Sequence, residues 1–297
     1  MTAASARTAR RPRALSFRSI ASVERHAKGM AAHAVDCLLL ELKTYPKPGL
    51  VSHVDAGSHA DMDAGTVRRG ATALEPYLYA LVKAGARNNG MGRMRMVGIE
   101  AEAAMLAATG GVNTHRGAIF GLGLLCAASG SRLGGTVEAD LPLGSVVARL
   151  WGREILEGPA APRSHGAEVR RRYGTGGARC EAAGGFRSVY DIGLPALKEG
   201  ALTASADAQA VRVHACFSLI AAVDDTNLLH RGGTSGLQFA QSAARSFLDR
   251  GGIGEHDWRE RARAVHEAFV ARGLSPGGSA DLLAMSLFVQ ALEPSRS

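Results

Sequence analysis

The sequence is poor in aromatic residues, which make up 5% of its 297 positions. Two patterns typical of strands, strict apolar/polar alternation and runs of β-branched residues, are also nearly absent. Alanine and leucine dominate the apolar residues instead, and both are strong helix formers. Because 46% of the residues are hydrophobic, the chain is long and apolar enough to bury a large core. This composition predicts an all-α fold.

Cysteines are few and widely spaced, at Cys37, Cys126, Cys180 and Cys216, and they form no CxxC pair. This spacing argues against a zinc site and against a disulfide framework. We expect three buried thiols, with Cys180 in a loop, and a protein of the reducing cytoplasm.

Long apolar runs are missing as well. The longest run, "AIFGLGLLCAASG" (118–130), is too short and too rich in glycine to span a membrane, so it predicts a buried core helix. We expect no secretory signal, because no hydrophobic region with a small-residue cleavage site follows the basic N-terminus. The sequence therefore predicts no membrane partner.

Three common catalytic motifs are absent from the sequence. It contains no GxxxxGK[ST], which argues against a P-loop, and it contains neither a GxSxG elbow nor an HExxH zinc helix. The glycine-rich "GTGGAR" (174–179) follows no predicted strand, so it is a weak indication of a Rossmann nucleotide site.

The first 23 positions contain no acidic residue. Five of the charges in the net total of +8 come from this segment, namely Arg7, Arg10, Arg11, Arg13 and Arg18. We predict that residues 1–22 form a basic, disordered extension, with an organellar transit peptide as the alternative. The modest positive charge of the remainder suits anionic small molecules as well as nucleic acid.

Hydrophobic periodicity predicts a long helix from Val23 to Lys43, ending before Pro46. Glycines predict an irregular segment from Gly158 to Gly193. No repeat or linker is evident, so we predict that residues 23–297 form a single compact all-helical catalytic domain. Further helices are expected at about 67–86, 95–109, 115–129, 143–157, 207–223, 235–250, 257–272 and 278–292.

Four predicted loops combine glycine with charged or amide residues. They are "YPKPGLVSHVDAGSHADMD" (45–63), "TGGVNTHRGA" (109–118), "DDTNLLHRGGTSG" (224–236) and "LSPGGSAD" (274–281). Glycine allows the backbone to approach a ligand closely, and the N-terminus of the following helix attracts anions. We therefore expect these glycine-rich loops to bind a phosphorylated substrate.

In the second loop, Asn113 or Thr114 can cap the next helix, which places His115 and Arg116 in its first turn. A positive side chain is disfavoured there by the helix dipole unless an anion binds. The alternative is an ordinary capped helix with a solvent-facing His and Arg.

Paired acids mark the third loop, where Asp224 and Asp225 directly follow a predicted helix. Two negative charges at a helix C-terminus oppose its dipole, and Mg²⁺ bound through hard oxygen ligands would explain them. A salt-bridged surface turn is the alternative. In the first loop, His59 and Asp61 alternate with Asp63 and can face one side of an extended segment, although a plain polar loop explains them equally well.

Ser275 is the predicted N-cap of the last helix, with Pro276 at its first position. The next residues, from Gly277 to Ser279, expose backbone donors, and capping alone does not explain two glycines in a first turn. On the helix before the second loop, Glu102 is a candidate buried acid or base.

Six segments occur in the order seen in triphosphoribosyl-dephospho-CoA synthases, and the sequence resembles that family from Leu38 to Leu292. The segments are "PKPGLVS", "GSHADMD", "ATGGVNTHRGAIF", "YGTGGARCEA", "DDTNLLHRGG" and "SPGGSADLLA". The resemblance implies transfer of the 5-triphosphoribosyl group of ATP to the 2'-hydroxyl of 3'-dephospho-CoA, with release of adenine. A separate transferase would then attach the product to an acyl carrier protein.

The first loop is more similar to the malonate decarboxylase branch of that family than to the citrate lyase branch. One departure from the family is Arg116, where Lys is common; the charge survives but a planar fork replaces a point charge.

The resemblance implies roles for the candidate residues. Glu102 or Asp61 would be the base that activates the attacking hydroxyl, and Asp224, Asp225 and Asp61 would bind Mg²⁺, with Asp225 essential to catalysis. The other candidates would hold the two substrates: Lys47, His59, Asn113, Thr114, His115, Arg116, Arg179, Asn227, His230, Arg231, Ser275, Gly277, Gly278 and Ser279.

Two other functions fit parts of the sequence. An Mg²⁺-dependent hydrolase of ADP-ribose-type glycosides would also be helical and use paired aspartates. A basic helical nucleic-acid-binding protein would fit the pI of 9.7, but the N-terminal arginines hold most of the excess charge, so we expect no nucleic-acid partner.

Overall fold

The computed structural model describes residues 20–159 and 165–293, and the regular elements in these two ranges are all helical. The absence of strands in these ranges confirms the predicted all-α class. In chain order the helices are α1 (Ile20–Lys43), α2 (Ala64–Ala73), α3 (Glu75–Ala86), α4 (Met91–Ala108), α5 (Arg116–Leu133), α6 (Leu143–Glu157), α7 (His165–Tyr173), α8 (Gly177–Ala183), α9 (Leu194–Thr203), α10 (Ala208–Ala222), α11 (Thr226–Asp249), α12 (Trp258–Val270) and α13 (Gly277–Leu292). A π-helical turn, Val189–Gly193, precedes α9, and a 3₁₀ turn, Gly252–Gly254, precedes α12.

The centre of the fold is α5, which carries the longest apolar run of the sequence and is buried on almost every side, as predicted. It packs most extensively against α3, and α13, α6 and α1 cover its remaining faces. Glycines permit the close approach of α3 and α5, because a Cβ on Gly130 would overlap the backbone of Val82 and a Cβ on Gly85 would overlap that of Ala127.

Around this centre, α1 packs on α3 and α13, while α10 packs on α9, α11 and α13. The buried apolar residues form one continuous cluster from Ala27 to Val289, so the described chain is a single domain. A small second cluster of Leu42, Val51 and Val67 lies beneath the first loop and supports it.

Two predicted helix boundaries were wrong. The expected helix 67–86 is divided at Leu74 into α2 and α3, since Pro76 stands in the first turn of α3, a position that proline favours. The expected irregular segment Gly158–Gly193 contains α7, α8 and the π-helical turn.

The third loop was also predicted incorrectly, because α11 begins at Thr226 and not near residue 235. The Asp225 carboxylate accepts hydrogen bonds from the first amides of α11 and starts the helix early. The glycine pair interrupts the helix instead of preceding it, with Gly233 at φ 61° and ψ −160°. Most of "DDTNLLHRGGTSG" is therefore helical.

Cys37, Cys126 and Cys216 are buried as predicted; Cys180 is exposed but lies in α8, not in a loop. At the N-terminus, α1 begins at Ile20, three residues before the predicted start. The rest of the predicted extension, with its five arginines, lies outside the described residues. In the ranges that the structure covers, no helix has the length and apolar character needed to cross a bilayer.

Candidate active site

Three helix N-termini meet the loop that follows α1. The start of α13 contacts the start of α11, since Ser279 binds the Asp225 carboxylate. The start of α5 contacts α13 where Gly117 faces Asp281. The contacts bring all four predicted loops together in one region, called the cleft here, because His59 of the first loop also hydrogen bonds Ser275 of the fourth.

Asp225 joins two of these helices. Its Oδ1 accepts the backbone N–H of Asn227 at 2.8 Å and that of Leu228 at 3.4 Å, and its Oδ2 accepts the backbone N–H and the hydroxyl of Ser279 at 2.7 and 3.0 Å. Burial raises the pKa of the Asp225 carboxyl, and these hydrogen bonds oppose the rise. Gly278 packs closely beside it, and a Cβ there would lie 3.1 Å from the carboxylate. Asp225 is therefore a buried cap with both oxygens engaged.

Asp281 lies one turn into α13, directly before the first turn of α5. A Cβ on Gly117 would overlap its Oδ2, so glycine is required for this contact, and the backbone N–H of Ala118 faces the carboxylate. Asp281 is partly buried. Burial, followed by the negative charges of Glu41 and Asp225, raises its pKa well above the usual range.

The floor of the cleft holds an ion pair between Lys47, which is 1% exposed, and Glu41 at the end of α1. The Lys47 carbonyl accepts a 2.7 Å hydrogen bond from Nδ1 of the buried His266, which ties the first loop to α12. The Cys216 thiol of α10 interacts electrostatically with Lys47, Glu41 and Asp225. The interior thus combines one ammonium with several carboxylates.

His115 immediately precedes α5 and is buried, not solvent-facing. Its Nδ1 lies 2.8 Å from the Thr114 hydroxyl. Burial, aided by the positive charge of Lys47, lowers the pKa of His115 to about 4, so the imidazole is neutral. The expected positive charge in the first turn of α5 is therefore supplied by Arg116 alone. A substrate contact of His115 stays a prediction, and it would be made by a neutral ring.

Arg116 and Glu102 pair with each other at the rim. The Arg116 Nε donates to Glu102 Oε1 at 2.8 Å, and both side chains are partly exposed, at 49% and 33%. Asn113 accepts the backbone N–H of Arg116 at 3.1 Å, which makes Asn113 the side chain that reaches this helix end. The roles predicted for Glu102 as base and Arg116 as phosphate ligand stay predictions, and each requires this pair to open.

His59 links Arg231 to Ser275. Its Nε2 lies 2.9 Å from the Ser275 hydroxyl, and its Nδ1 lies 3.3 Å from the Arg231 guanidinium. Since arginine only donates, Nδ1 accepts and Nε2 carries the hydrogen. Burial, and then the Arg231 charge, lowers the pKa of His59. This tautomer cannot remove a proton from Ser275, so the neighbouring Asp61 completes no Ser-His-Asp triad, although its Oδ1 is 3.5 Å from Nδ1.

Several predicted residues lie elsewhere or have other partners. The Arg179 guanidinium donates to the carbonyls of Leu156 and Gly158 at the end of α6. Asn227 packs beside Gly277, where a Cβ would lie 2.8 Å from its Nδ2. His230 is exposed on α11. The predicted substrate contacts of these residues stay predictions.

The predicted magnesium ligands do not form a preformed cage. In the part of the chain that the structure describes, no group of three or more His, Cys, Asp or Glu side chains could hold a metal ion. Asp225 has both oxygens engaged by protein donors, Asp61 is 64% exposed, and the exposed Asp224 accepts a 3.3 Å hydrogen bond from Gln241. Magnesium commonly keeps waters and substrate phosphates as ligands and uses one or two carboxylates. The residues present therefore fit only an ion that arrives with phosphate.

Three residues of this cleft were not predicted from the sequence: His266, which is buried, and Glu41 and Asp281, which are partly buried. Glu41 and His266 lay within predicted helices, and Asp281 lay in the fourth predicted loop without an assigned role. One signal pointed to Asp281, an acid one turn inside a helix that begins with two glycines. No local signal pointed to Glu41 or His266, because their partners lie in distant segments.

Known proteins similar in sequence to this chain point to one family. The family model described as "CitG: ATP:dephospho-CoA triphosphoribosyl transferase" matches residues 27–297. A relative from Azotobacter vinelandii is 40% identical over 274 residues, covering 90% of this chain and 92% of the relative. One from Stutzerimonas stutzeri is 39% identical over 280 residues, covering 91% and 94%. Both are named "probable 2-(5''-triphosphoribosyl)-3'-dephosphocoenzyme-A synthase". No solved structure matches the chain.

Proposed function

The chain belongs to the ATP:dephospho-CoA triphosphoribosyl transferase family, and we propose that it moves the 5-triphosphoribosyl group of ATP from adenine to the 2'-hydroxyl of 3'-dephospho-CoA in the cleft described above. The observation that carries this proposal is the separation of charge in the cleft. Carboxylates of Glu41, Asp225 and Asp281 lie inside, whereas exposed arginines, Arg116 and Arg231, lie at the rim.

The interior suits the ribosyl group. In the transfer, the bond from the 2'-oxygen to C1' forms as the C1'–N9 bond breaks, and adenine leaves with the electron pair and takes up a proton. Positive charge develops on the ribose in such a reaction, and nearby carboxylates stabilise it. Glu41, Asp225 and Asp281 around the ammonium of Lys47 would provide this field.

The rim suits the phosphates. A triphosphate would be repelled by the carboxylates inside, so we place it at the helix starts, where Arg116 and Arg231 are exposed. The backbone at Gly277, in the first turn of α13, can approach it closely, whereas the N–H of Gly278 faces Asp225. Mg²⁺ would arrive with the triphosphate and neutralise part of its charge, with Asp61 and Asp224 as the carboxylates able to reach it.

Within the family, we assign the product to malonate decarboxylase. The support is the first loop, "YPKPGLVSHVDAGSHADMD", which resembles that branch more than the citrate lyase branch. A separate transferase and an acyl carrier protein would use the product in the cytoplasm. Expression of this chain in a bacterium lacking its own synthase should restore growth on malonate, and restoration of citrate fermentation alone would overturn the assignment.

The activity is tested by incubating the full chain with ATP, Mg²⁺ and 3'-dephospho-CoA. Adenine should be released only when the acceptor is present, together with a product whose mass equals dephospho-CoA plus the triphosphoribosyl group. Adenine release that is equal without acceptor would identify an ADP-ribose-type glycohydrolase instead. Repeating the assay with chelator should abolish turnover if Mg²⁺ accompanies the triphosphate, and undiminished turnover would remove magnesium from the proposal.

A further inference from the structure

The transfer proposed above requires a base, because the 2'-hydroxyl must lose its proton as it attacks. A general base must lie within hydrogen-bond reach of that proton and have a free lone pair directed at it. The acidic residues of the cleft differ in how many of their lone pairs are already used. Asp225 is fully used, since each of its oxygens accepts two hydrogen bonds from protein donors.

The other acids in and around the cleft also have partners. Glu41 is held by Lys47, and Glu102 is held by Arg116. Asp61 is 64% exposed and its carboxylate lies beside His59. Glu102 and Asp61 were the bases predicted from the sequence. The arginines around them, Arg116 near Glu102 and Arg231 near the His59 that contacts Asp61, suit phosphate binding at the rim better.

Asp281 differs from these acids in its unused acceptor capacity and in its position. The donor that it faces among the described residues is a single backbone N–H, that of Ala118, which leaves acceptor capacity on the carboxylate. Its Oδ2 stands in front of the Cα of Gly117, in space that any side chain at that position would fill. Asp281 as a whole residue is partly buried and keeps some exposure to solvent.

We propose that Asp281 is the general base, which takes the proton of the 2'-hydroxyl of 3'-dephospho-CoA as the 2'-oxygen bonds to C1' of the ATP ribose. The proton passes to Asp281, the C1'–N9 electron pair leaves with adenine, and the protonated acid later returns its proton to solvent. This assignment rests on the proposed function of the cleft.

The surroundings of Asp281 favour this role. Glu41 of α1 and Asp225 at the start of α11 face it with negative charge, and burial adds to their effect, so its pKa is raised and its basicity increased. The nearby cations are each committed to another acid, Lys47 to Glu41 and Arg116 to Glu102. Gly117 keeps the acceptor oxygen at the start of α5, next to the loop that we place against the substrate.

The first test is Asp281→Asn, which keeps an oxygen to accept the Ala118 N–H but cannot take a proton. We expect kcat to fall by about 10²–10⁴-fold, with KM for ATP changed only a few-fold and the melting temperature retained. The matched control is Asp207→Asn, because Asp207 likewise caps a helix, α10, through the N–H groups of Gln209 and Ala210. The control should keep its kcat.

The second test is Asp281→Ala assayed with and without formate. A small carboxylate that restores turnover to this variant identifies a missing base, which a purely structural role of Asp281 would not produce. If the wild type is active, the base role alone is overturned by either of two results. The first is an unreduced kcat in Asp281→Asn, and the second is no response of Asp281→Ala to formate. A wild-type protein that releases no adenine overturns the proposed function as well.

Discussion

Two histidines of the cleft, His59 and His115, are neutral for related reasons. Burial is the main cause for both; the second cause is the charge of Arg231 for His59 and that of Lys47 for His115. Neither ring therefore adds positive charge to a phosphate site. The arginines at the rim must supply that charge, and the histidines can offer only directed hydrogen bonds.

The buried His115 predicts a loss of stability in acid. Its pKa falls from 6.5 to about 4 on folding, so between these values the unfolded chain binds a proton that the folded chain does not. The contribution of His115 to the free energy of unfolding is present in full above pH 6.5 and decreases by up to about 3 kcal/mol as pH falls towards 4. Urea denaturation of wild type and His115→Asn at pH 7.5 and pH 4.5 measures this change. The variant should lose less free energy of unfolding between the two pH values than the wild type.

Asp281 contributes with the opposite sign, since a raised carboxyl pKa weakens the fold as pH rises through the raised value. The difference between wild type and variant isolates His115 from this effect. His256→Asn is the control, because His256 is exposed. Equal acid sensitivity of wild type and His115→Asn would contradict a neutral, buried His115.

At the scale of the element, α11 shows why a helical segment can be predicted as a loop. Glycines and polar side chains in "DDTNLLHRGG" predict a loop, and no local pattern reveals that Asp225 also binds Ser279 in α13. That second contact positions the carboxylate that caps α11. Helices α5, α6 and α13, whose apolar faces and flanking Gly or Pro are strong signals, were predicted within a few residues of their ends.

The packing of α3 on α5 predicts a cost for Gly130→Ala. A Cβ at Gly130 would overlap the Val82 carbonyl and separate the two helices, so the free energy of unfolding should fall by about 1–3 kcal/mol. Urea denaturation with circular dichroism measures the change.

Gly98→Ala in α4 is the matched control, because no atom lies within 4 Å of a Cβ at Gly98. Alanine has the higher helix propensity, so this substitution should raise the free energy of unfolding by up to about 1 kcal/mol. A Gly130→Ala variant that is stabilised to the same extent would show that α3 and α5 do not approach as closely as the structure indicates.

For the whole molecule, charge is divided between the catalytic domain and the N-terminal segment. Residues 1–19 contain five arginines and no acidic residue, and the family match begins only at residue 27. The residues that form the cleft, from Glu41 to Asp281, all lie within the domain.

A chain lacking residues 1–19 should therefore keep its activity. The deletion lowers the formal net charge from +8 to +3, and we expect kcat/KM for both substrates to stay within about twofold of the full chain, because every cleft residue that the structure describes is retained. Adenine release by the two forms at equal concentration and ionic strength measures this. A tenfold loss at low salt that disappears at high salt would instead assign the segment to substrate attraction.

The sequence by itself determined the helical class, the single domain, the family and the four segments that meet at the cleft. These follow from composition, periodicity and ordered local motifs, which residues near one another in the chain can encode. Only the tertiary structure decided which ionisable groups are charged and which are free to act. The negative charges that approach Asp281 come from Glu41 and Asp225, which lie 240 and 56 positions away along the chain. Desolvation and Coulomb interaction act through space, so no local pattern could reveal them.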